Sequence, residues 1–280
     1  MKKKNTNQKN GLWTASSSYG EIGATLKALQ DNGVTLEHLA RLRGDNDYAK
    51  RVAEFMGASI PHKLARNIMG KNFWGVEEWL HFYGVSFTNK QLREAAYFPW
   101  NDDVLNTPCP LGNKGRIRET HIAFLGIPNI NGKPLTILQW HKLHNTNHPM
   151  LRLTNIDKDE KLLVESVCAF RWYLMPIRAI FSSAEKTTHE RLDMLPQEYE
   201  FSRAILEVTK NILYYRKNGA YPISENESVW CCDIIDRFMH VYIIPDYYYN
   251  IRQGIAIGQS WKTPGRTRTD SIVVSRKPGV

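Results

Sequence analysis

Among the sequence patterns of this chain, a group of three histidines most resembles the ligand spacing of a metal site. The stretch HKLHNTNH places them at His141, His144 and His148. On a helix the first two share a face and could bind zinc together with a third ligand. However, no Cys or Glu completes the set, and the asparagines and proline of the same stretch favour a turn. An exposed polar loop is the preferred interpretation, so we predict no metal and no other cofactor, and a metal-dependent enzyme on these histidines remains the third alternative.

Other patterns with catalytic potential favour structural interpretations. The acidic pairs Glu77–Glu78 and Asp102–Asp103 are adjacent in sequence, whereas catalytic carboxylates need converging side chains in unequal environments. The G-x-x-G of LGNKGR resembles a phosphate-clamping loop, but Pro110 and the strand-like HIAFLGI flank it, which favours a linker turn. Cys168 lies in an apolar strand pattern and is expected to be an inert core thiol. We therefore expect a protein that is not an enzyme.

The C-terminal segment combines aromatic, amide and basic side chains. Tyr, Trp and Arg offer large contact areas and versatile hydrogen bonding, and recognition surfaces are rich in them. In DYYYNIRQGIAIG the three consecutive tyrosines must point to both faces of a strand, so we expect at least one to meet solvent. In the preceding strand, alternation with Val241 and Ile243 should turn His240 and Tyr242 outward together. The candidate ligand-binding residues are His240, Tyr242, Tyr247, Tyr248, Tyr249, Asn250, Arg252, Trp261, Arg266 and Arg268.

The net charge of +9 is concentrated at the two ends of the 280-residue chain. Residues 1–10 contribute +4 and residues 250–280 contribute +5, so the chain between them is neutral. A uniformly basic nucleic-acid binder is therefore excluded. A nucleic-acid-binding protein that uses Lys2, Lys3 and Lys4 together with the C-terminal arginines remains the second functional alternative.

The organisation along the chain predicts a helical N-terminal module followed by a mixed α/β domain. Residues 1–17 are expected to form a disordered basic arm, residues 18–100 the helical module, residues 101–118 a linker rich in Pro, Gly and Asp, and residues 119–280 an α+β ligand-binding domain. In the helical module, Thr35 has the position of an N-cap, and Thr88-Asn-Lys-Gln91 has the spacing of a capping box. A helix-turn-helix is a further alternative, but none of these helices is strongly basic.

In the second part, strands are predicted at HIAFLGI, LTILQW, VESVCAFRWYLM, VWCCDII, HVYII, GIAIG and SIVVS. One helix is predicted from a line of Phe201, Ile205 and Val208, with Arg203 and Lys210 outside it. The 42% hydrophobic content is that of a globular protein. No membrane span and no signal peptide are recognised, and the four cysteines form no disulfide framework, which together predict a cytoplasmic location.

Two regions resemble an uncharacterised family from candidate-phylum bacteria. They are IMGKNFWGVEEWLHFYGV (Ile68–Val85), and FRWYLMPIRAIF (Phe170–Phe181) through to VVSRK (Val273–Lys277). That family is similar to target proteins of diversity-generating retroelements, whose C-terminal C-type-lectin-like domain displays mutated side chains for ligand binding. Mutation of adenines in Asn codons yields residues such as Tyr, Asp and Ser, which suits DYYYNIR; a Gly-Phe-Arg ending, common in such domains, is absent here. The resemblance implies a C-type-lectin-like fold and a hypervariable surface for a protein or other macromolecular ligand.

Overall fold

The computed structural model describes residues 19–57, 59–145, 149–154, 156–178, 190, 193, 195–223, 227–235, 239–248, 251–261 and 269–278. The chain divides into two compact units, Met1–Met56 and Gly57–Val280. The predicted basic arm, residues 1–17, lies outside the described residues. The second unit mixes helices with strands of both parallel and antiparallel pairing, so the predicted α+β class is confirmed.

The described part of the first unit is helical, as predicted. Its helices are α1 (Tyr19–Asp31), α2 (Leu36–Gly44) and α3 (Asn46–Gly57). Gly33 adopts φ +87° directly after α1, a backbone conformation that glycine tolerates without strain. Thr35 is the N-cap of α2, and its backbone N–H donates to His38 Nδ1 at 3.0 Å. A glycine turn and an N-cap therefore separate the first two helices where the sequence placed them.

The helices of the second unit are short, except for the last. They are α4 (His62–Met69), α5 (Val76–Tyr83), α6 (Asn89–Ala95), α7 (Asp102–Asn106), α8 (Ile117–Thr120), α9 (Ile137–Leu143), α10 (Lys161–Glu165) and α11 (Ala204–Asn218), and a 3-10 turn spans Gly70–Asn72. The predicted capping box begins α6: Gln91 N–H donates to Thr88 Oγ1, and Thr88 N–H donates to Gln91 Oε1. These bonds satisfy two backbone donors that a helix start would otherwise leave unpaired.

Most strands are two to five residues long, and the three longest are β10, β11 and β12. They are β1 (Ile60–Pro61), β2 (Phe73–Trp74), β3 (Tyr97–Phe98), β4 (His121–Leu125), β5 (Asn129–Ile130), β6 (Lys133–Pro134), β7 (Met150–Thr154), β8 (Trp172–Pro176), β9 (Tyr199–Phe201), β10 (Glu227–Ile235), β11 (Met239–Tyr248), β12 (Ile251–Trp261), β13 (Thr269–Ile272) and β14 (Val274–Arg276).

Two five-stranded sheets organise the second unit. The first, which we call the hairpin sheet, has the order β13-β10-β11-β12-β7; the β10–β11 and β11–β12 pairs are antiparallel, and the two edge strands pair in parallel. The second, the inner sheet, has the order β2-β4-β8-β14-β9. Strand β13 belongs to the first sheet and β14, two residues later, to the second. Because of this switch, the last strands of the chain join the two sheets.

Helix α11 contacts both sheets, and its first ten residues are all buried. A helix that is buried all round lies in the interior, whereas an amphipathic helix lies on the surface. Its N-terminus is held by the hairpin sheet: Asp233 of β10 accepts a hydrogen bond from the Ala204 backbone N–H and forms an ion pair with Arg203 at 3.3 Å. At its other end Gly219 closes the helix in the left-handed conformation, as predicted. Helix α11 is therefore the core element that the hairpin sheet rests on.

Several sequence expectations differ from the structure. LTILQW, predicted as a strand, begins α9, because Thr136 Oγ1 accepts from Gln139 N–H and starts a helix. VESVCAFRWYLM is a strand only from Trp172 onward. Lys210 is not on an outer face: it is 2% exposed. The predicted linker, residues 101–118, lies inside the second compact unit, and it carries α7, the start of α8 and the fully buried Leu105.

Candidate functional site

The predicted binding residues cluster on the hairpin formed by β11 and β12. The two strands pair in antiparallel register over their whole length, from Met239 opposite Trp261 to Tyr248 opposite Ile251. Strand alternation sends every second residue to one face. On that face Val241, Ile243, Ile255 and Ile257 are fully buried in the core. The hairpin is therefore anchored by a continuous apolar face.

The register divides the predicted site residues between the two ends of the hairpin. Tyr247 is opposite Arg252 and Tyr248 is opposite Ile251 at one end. At the other end, Trp261 is opposite Met239, and His240 is opposite Ser260. Nine residue steps at about 3.3 Å each put the two ends roughly 30 Å apart. The residues described here therefore form two groups and not one compact site.

The remaining candidates have different placements. Tyr242 lies in the middle of the hairpin, opposite Gly258 on one side and Trp230 on the other. Tyr249, Asn250, Arg266 and Arg268 lie outside the described residues. In the sequence, Tyr249 and Asn250 stand between Tyr248 of β11 and Ile251 of β12. We call Tyr247–Arg252 the hairpin tip.

An irregularity in pairing separates the tip from the rest of the hairpin. Asp246 is opposite Gly254, whereas Tyr247 is opposite Arg252, so Gln253 is an extra residue in β12. A β-bulge of this kind bends the bulged strand and increases its twist, and bulges re-aim side chains near functional sites. The bulge therefore lies between the anchored part of the hairpin and the pairs Tyr247–Arg252 and Tyr248–Ile251.

The middle of β12 has no exposed face. All residues from Gly254 to Gly258 are buried, including Ala256, which alternates with the core residues Ile255 and Ile257. Gly254 also approaches β7 closely, since a Cβ there would lie 2.8 Å from the Cβ of Met150 and closer still to its carbonyl oxygen. A strand buried on both faces is a structural element. The segment Gly254–Gly258 is therefore part of the core and offers no surface for a ligand.

The histidine stretch is divided by the structure. His141 lies in the last turn of α9, and its Nδ1 is 2.7 Å from the Leu151 carbonyl oxygen. His144 follows the helix and is only 1% exposed, so the expected exposed loop is wrong for this residue. Its Nε2 lies 3.0 Å from the Tyr83 hydroxyl, and its ring stacks on Trp140. His148 lies outside the described residues. Within the parts of the chain that the structure describes, no group of three His, Cys, Asp or Glu could hold a metal ion.

Burial controls the pKa values of this cluster. Burial, and then the nearby Arg216, lower the pKa of His144 to about 4. Burial raises the pKa of Tyr83 to about 12, although Arg216 opposes the shift. Both groups are therefore neutral at pH 7. His144 and Tyr83 are therefore a neutral hydrogen-bonded pair packed in an aromatic core, and they supply no charged group to a metal ion.

A polar cluster inside α11 was missed by the sequence analysis. Glu207 and Lys210 form a buried ion pair at 2.7 Å. Lys210 Nζ also donates to the Pro176 carbonyl at 3.1 Å, and Asn211 Nδ2 donates to Glu207 Oε1 at 2.7 Å. Each charged group thus has a partner, which a buried charge requires. In the sequence, this cluster is visible only as polar residues that share one face of a helix. The contacts of α11 with both sheets show that this face is buried.

The stretches that carry the family resemblance lie in the core. Trp74, Trp79 and Trp172 are all buried, and Trp74 and Trp79 contact each other edge to face at 5.8 Å. Arg276 of the Ser-Arg-Lys ending lies in β14, 5.5 Å from the Tyr199 ring centroid, and is 8% exposed. These motifs therefore hold the inner sheet together and lie apart from the hairpin tip.

The chain matches no protein-family model, no curated protein sequence and no solved structure. Across the described residues, moreover, no helix has the length and apolar character that a membrane crossing needs.

Proposed function

We propose that this chain is a cytoplasmic, non-enzymatic binding protein whose hairpin tip, Tyr247–Arg252, contacts a macromolecular ligand. One observation carries the proposal: the hairpin is buried at Val241, Ile243 and Gly254–Gly258, and a bulge separates this part from the pairing of Tyr247 with Arg252. The buried part anchors the two strands that carry the tip in the core.

The composition of the tip supports a protein ligand. Tyrosine presents a large amphipathic surface with few rotatable bonds, and arginine adds planar hydrogen bonding. Both residue types are enriched among the residues that dominate binding energy at interfaces. The cross-strand pairing of Tyr247 with Arg252 brings the two chemistries together in one place.

A diversified surface is part of the same proposal. The tip lies beyond the buried Gly254–Gly258 segment, so substitutions there leave the core residues Ile255 and Ile257 in place. This separation between the buried segment and the tip is what a C-type-lectin-like protein with targeted mutation of its 3′ coding end would need. Sequencing of the locus tests it: a near-copy of the 3′ coding end that differs at adenines beside a reverse-transcriptase gene supports diversification, and absence of such a copy overturns this part alone.

The binding role is tested by comparative affinity capture. The full chain, the triple variant Tyr247→Ser, Tyr248→Ser, Tyr249→Ser, and the control Tyr97→Ser are each used as bait, and the retained proteins are identified by mass spectrometry. Tyr97 is 64% exposed and lies in β3, away from the hairpin, which makes it a matched tyrosine loss. The proposal expects a protein that is retained by the full chain and the control and lost by the triple variant. Equal retention by all three baits contradicts it.

A nucleic acid is the second candidate ligand, favoured by the +4 charge of residues 1–10 and the +5 charge of residues 250–280. Affinity for a labelled single-stranded oligonucleotide should then fall steeply between about 0.05 M and about 0.2 M salt. If no nucleic acid is retained, this candidate is ruled out.

The third candidate is a metal-dependent enzyme that uses the histidine stretch. It fails if elemental analysis of the purified protein finds no metal.

A further inference from the structure

Two buried oxygens on α11 accept no hydrogen bond from the described residues. They are Glu207 Oε2 and Asn211 Oδ1. Glu207 is 1% exposed and Asn211 is fully buried. Buried polar groups in native proteins are almost always hydrogen-bonded, either to the protein or to an ordered water molecule. Two unpartnered acceptors in one cluster therefore point to a hydrogen-bond donor from outside the chain.

The two oxygens belong to groups that are already in contact. Glu207 and Asn211 are four residues apart in α11, so their side chains lie on the same face of the helix. Asn211 Nδ2 donates to Glu207 Oε1 at 2.7 Å and to the Glu207 carbonyl oxygen at 2.8 Å. Both hydrogens of the amide are thus used. The opposite amide orientation would set Asn211 Oδ1 against these two acceptors, so rotation of the amide gives Oδ1 no partner.

Lys210 has no hydrogen left for these oxygens. An ammonium group has three hydrogens to donate. Lys210 Nζ lies 2.7 Å from Glu207 Oε1, 3.1 Å from the Pro176 carbonyl oxygen and 3.4 Å from the Ile177 carbonyl oxygen. Both Lys210 and Asn211 therefore bind the same oxygen of the Glu207 carboxylate, Oε1. A small molecule that donates two hydrogen bonds would complete the cluster.

We propose that Glu207 Oε2 and Asn211 Oδ1 hold one internal water molecule, which donates one hydrogen bond to each oxygen. Buried waters occupy places of this kind, where polar groups of the protein have no other partner. A water molecule has two hydrogens, and the cluster has two oxygens that need a donor. The site lies in the interior on α11 and is independent of what the hairpin tip binds.

A bound cation fits the same place less well. Hard cations such as Ca²⁺ are surrounded by about six or more oxygens, whereas this cluster has two that are free. A cation would also stand beside the Lys210 ammonium, whose charge is already balanced by the Glu207 carboxylate. A neutral ligand adds no further charge to a buried ion pair. The chemistry of the site therefore favours water over Na⁺ or K⁺.

The variant Glu207→Gln is designed to release the water. Glutamine has nearly the shape of glutamate, and its amide nitrogen carries two hydrogens where the carboxylate has an acceptor. That nitrogen can donate directly to Asn211 Oδ1 while the remaining oxygen still accepts from Asn211 Nδ2. Both of the acceptors that hold the water are then lost.

High-resolution crystal structures of the full chain and of Glu207→Gln test the proposal. We expect one peak of water density within hydrogen-bond distance of Glu207 Oε2 and Asn211 Oδ1, and we expect it to be lost in the variant. Crystals soaked in rubidium chloride test for a cation, because Rb⁺ scatters anomalously and binds where Na⁺ or K⁺ would. An absence of density at the two oxygens, or an anomalous peak there, overturns the proposal.

Oxygen-17 relaxation dispersion tests the same site in solution, because it counts the internal waters that exchange slowly with the bulk. The count should fall by one in Glu207→Gln. The matched control is Glu94→Gln, which makes the same chemical change in the exposed pair of Glu94 with Lys90 on α6 and should leave the count unchanged. Equal counts in the wild type and Glu207→Gln contradict the proposal. If Glu207→Gln does not fold, the density in the wild-type crystal decides alone.

Discussion

Glu207 Oε1 and Lys210 Nζ lie 2.7 Å apart on consecutive turns of α11, and both side chains are almost completely excluded from solvent. Removing charges from water is costly, and their mutual attraction repays that cost only if neither charge is left alone. Asn211 Nδ2 donates a further hydrogen bond to Glu207 Oε1, and Lys210 Nζ donates to the Pro176 carbonyl, while Glu207 Oε2 and Asn211 Oδ1 are buried with no hydrogen-bond partner among the described residues. Lys210 therefore links α11 to Pro176 of β8 in the inner sheet.

We predict that Lys210→Met lowers the free energy of unfolding by about 3–5 kcal/mol, because it leaves the Glu207 carboxylate buried without its partner. The double variant Glu207→Leu, Lys210→Met should recover most of that loss. Urea denaturation of the three proteins measures it. As a control, Lys90→Met removes the exposed i,i+4 pair with Glu94 and should change stability by less than about 0.5 kcal/mol. Equal effects at both sites would show that the internal pair is energetically unimportant.

Acid should destabilise the second unit through its buried histidines. Burial, followed by Arg276, lowers the pKa of His121 to about 3, and burial lowers that of His144 to about 4. Since an unfolded histidine has a pKa near about 6.5, the unfolded state binds more protons below that pH. Stability is therefore fully present above about pH 6.5 and falls progressively toward pH 4.

The size of that loss is about 3 kcal/mol from His144 by pH 4. The measurement is the urea midpoint as a function of pH, compared with the variant His144→Gln, which should show a shallower decline. His38 is exposed in the first unit, so His38→Gln serves as the control and should keep the wild-type slope. A decline that is identical in all three proteins contradicts the assignment.

Because the backbone of Met150 lies close to Gly254, we predict that position 254 tolerates no side chain. Gly254→Ala places a Cβ against Met150 and should force β7 away from β12, lowering the free energy of unfolding by about 2 kcal/mol or more. Gly44, where a Cβ would meet nothing within 4 Å, is the control, and Gly44→Ala should be neutral or slightly stabilising. Hydrogen exchange of the β12 amides tests whether the strand pair has opened. Unchanged protection in Gly254→Ala would refute the prediction.

The cysteines should differ in reactivity in the folded state. Burial raises the pKa of Cys168 to about 12 and that of Cys231 well above its usual value. At pH 8 neither should react with iodoacetamide until the protein unfolds, since the thiolate is the reactive form. Cys232 is only half-buried, and its pKa is raised less, to about 11. Mass spectrometry of pulse-labelled protein should find Cys232 modified before Cys168 and Cys231, and the reverse order contradicts this account.

The sequence predicted those features that local chemistry determines. The N-cap Thr35 and the capping box at Thr88 predicted the starts of α2 and α6 correctly, because each depends on residues within one turn. Strands β10, β11 and β12 of the hairpin sheet were predicted from the apolar runs VWCCDII, HVYII and GIAIG, whereas β7 was not predicted. LTILQW was assigned as a strand because short apolar runs are ambiguous between helix and strand, and the cap at Thr136 decides for a helix.

The features that depend on distant parts of the chain could not be predicted. Lys210 has the sequence position of a solvent-facing residue, and its burial follows from two sheets that pack on opposite sides of α11. His144 likewise becomes a core residue only because Tyr83 and Trp140 surround it. For the candidate site, the residue types were evident from the sequence. Their division between two ends of the hairpin required the strand register.

The central claim is that the hairpin tip binds a macromolecular ligand, and one titration tests it most directly. The protein identified by affinity capture is titrated in a calorimeter with the full chain, the triple tyrosine variant and Tyr97→Ser, at about 0.05 M and about 0.5 M salt. The account predicts that the triple variant weakens the dissociation constant by at least about 30-fold, that Tyr97→Ser leaves it unchanged, and that salt shifts it by less than about threefold. Equal affinity of the triple variant and the full chain would contradict the claim.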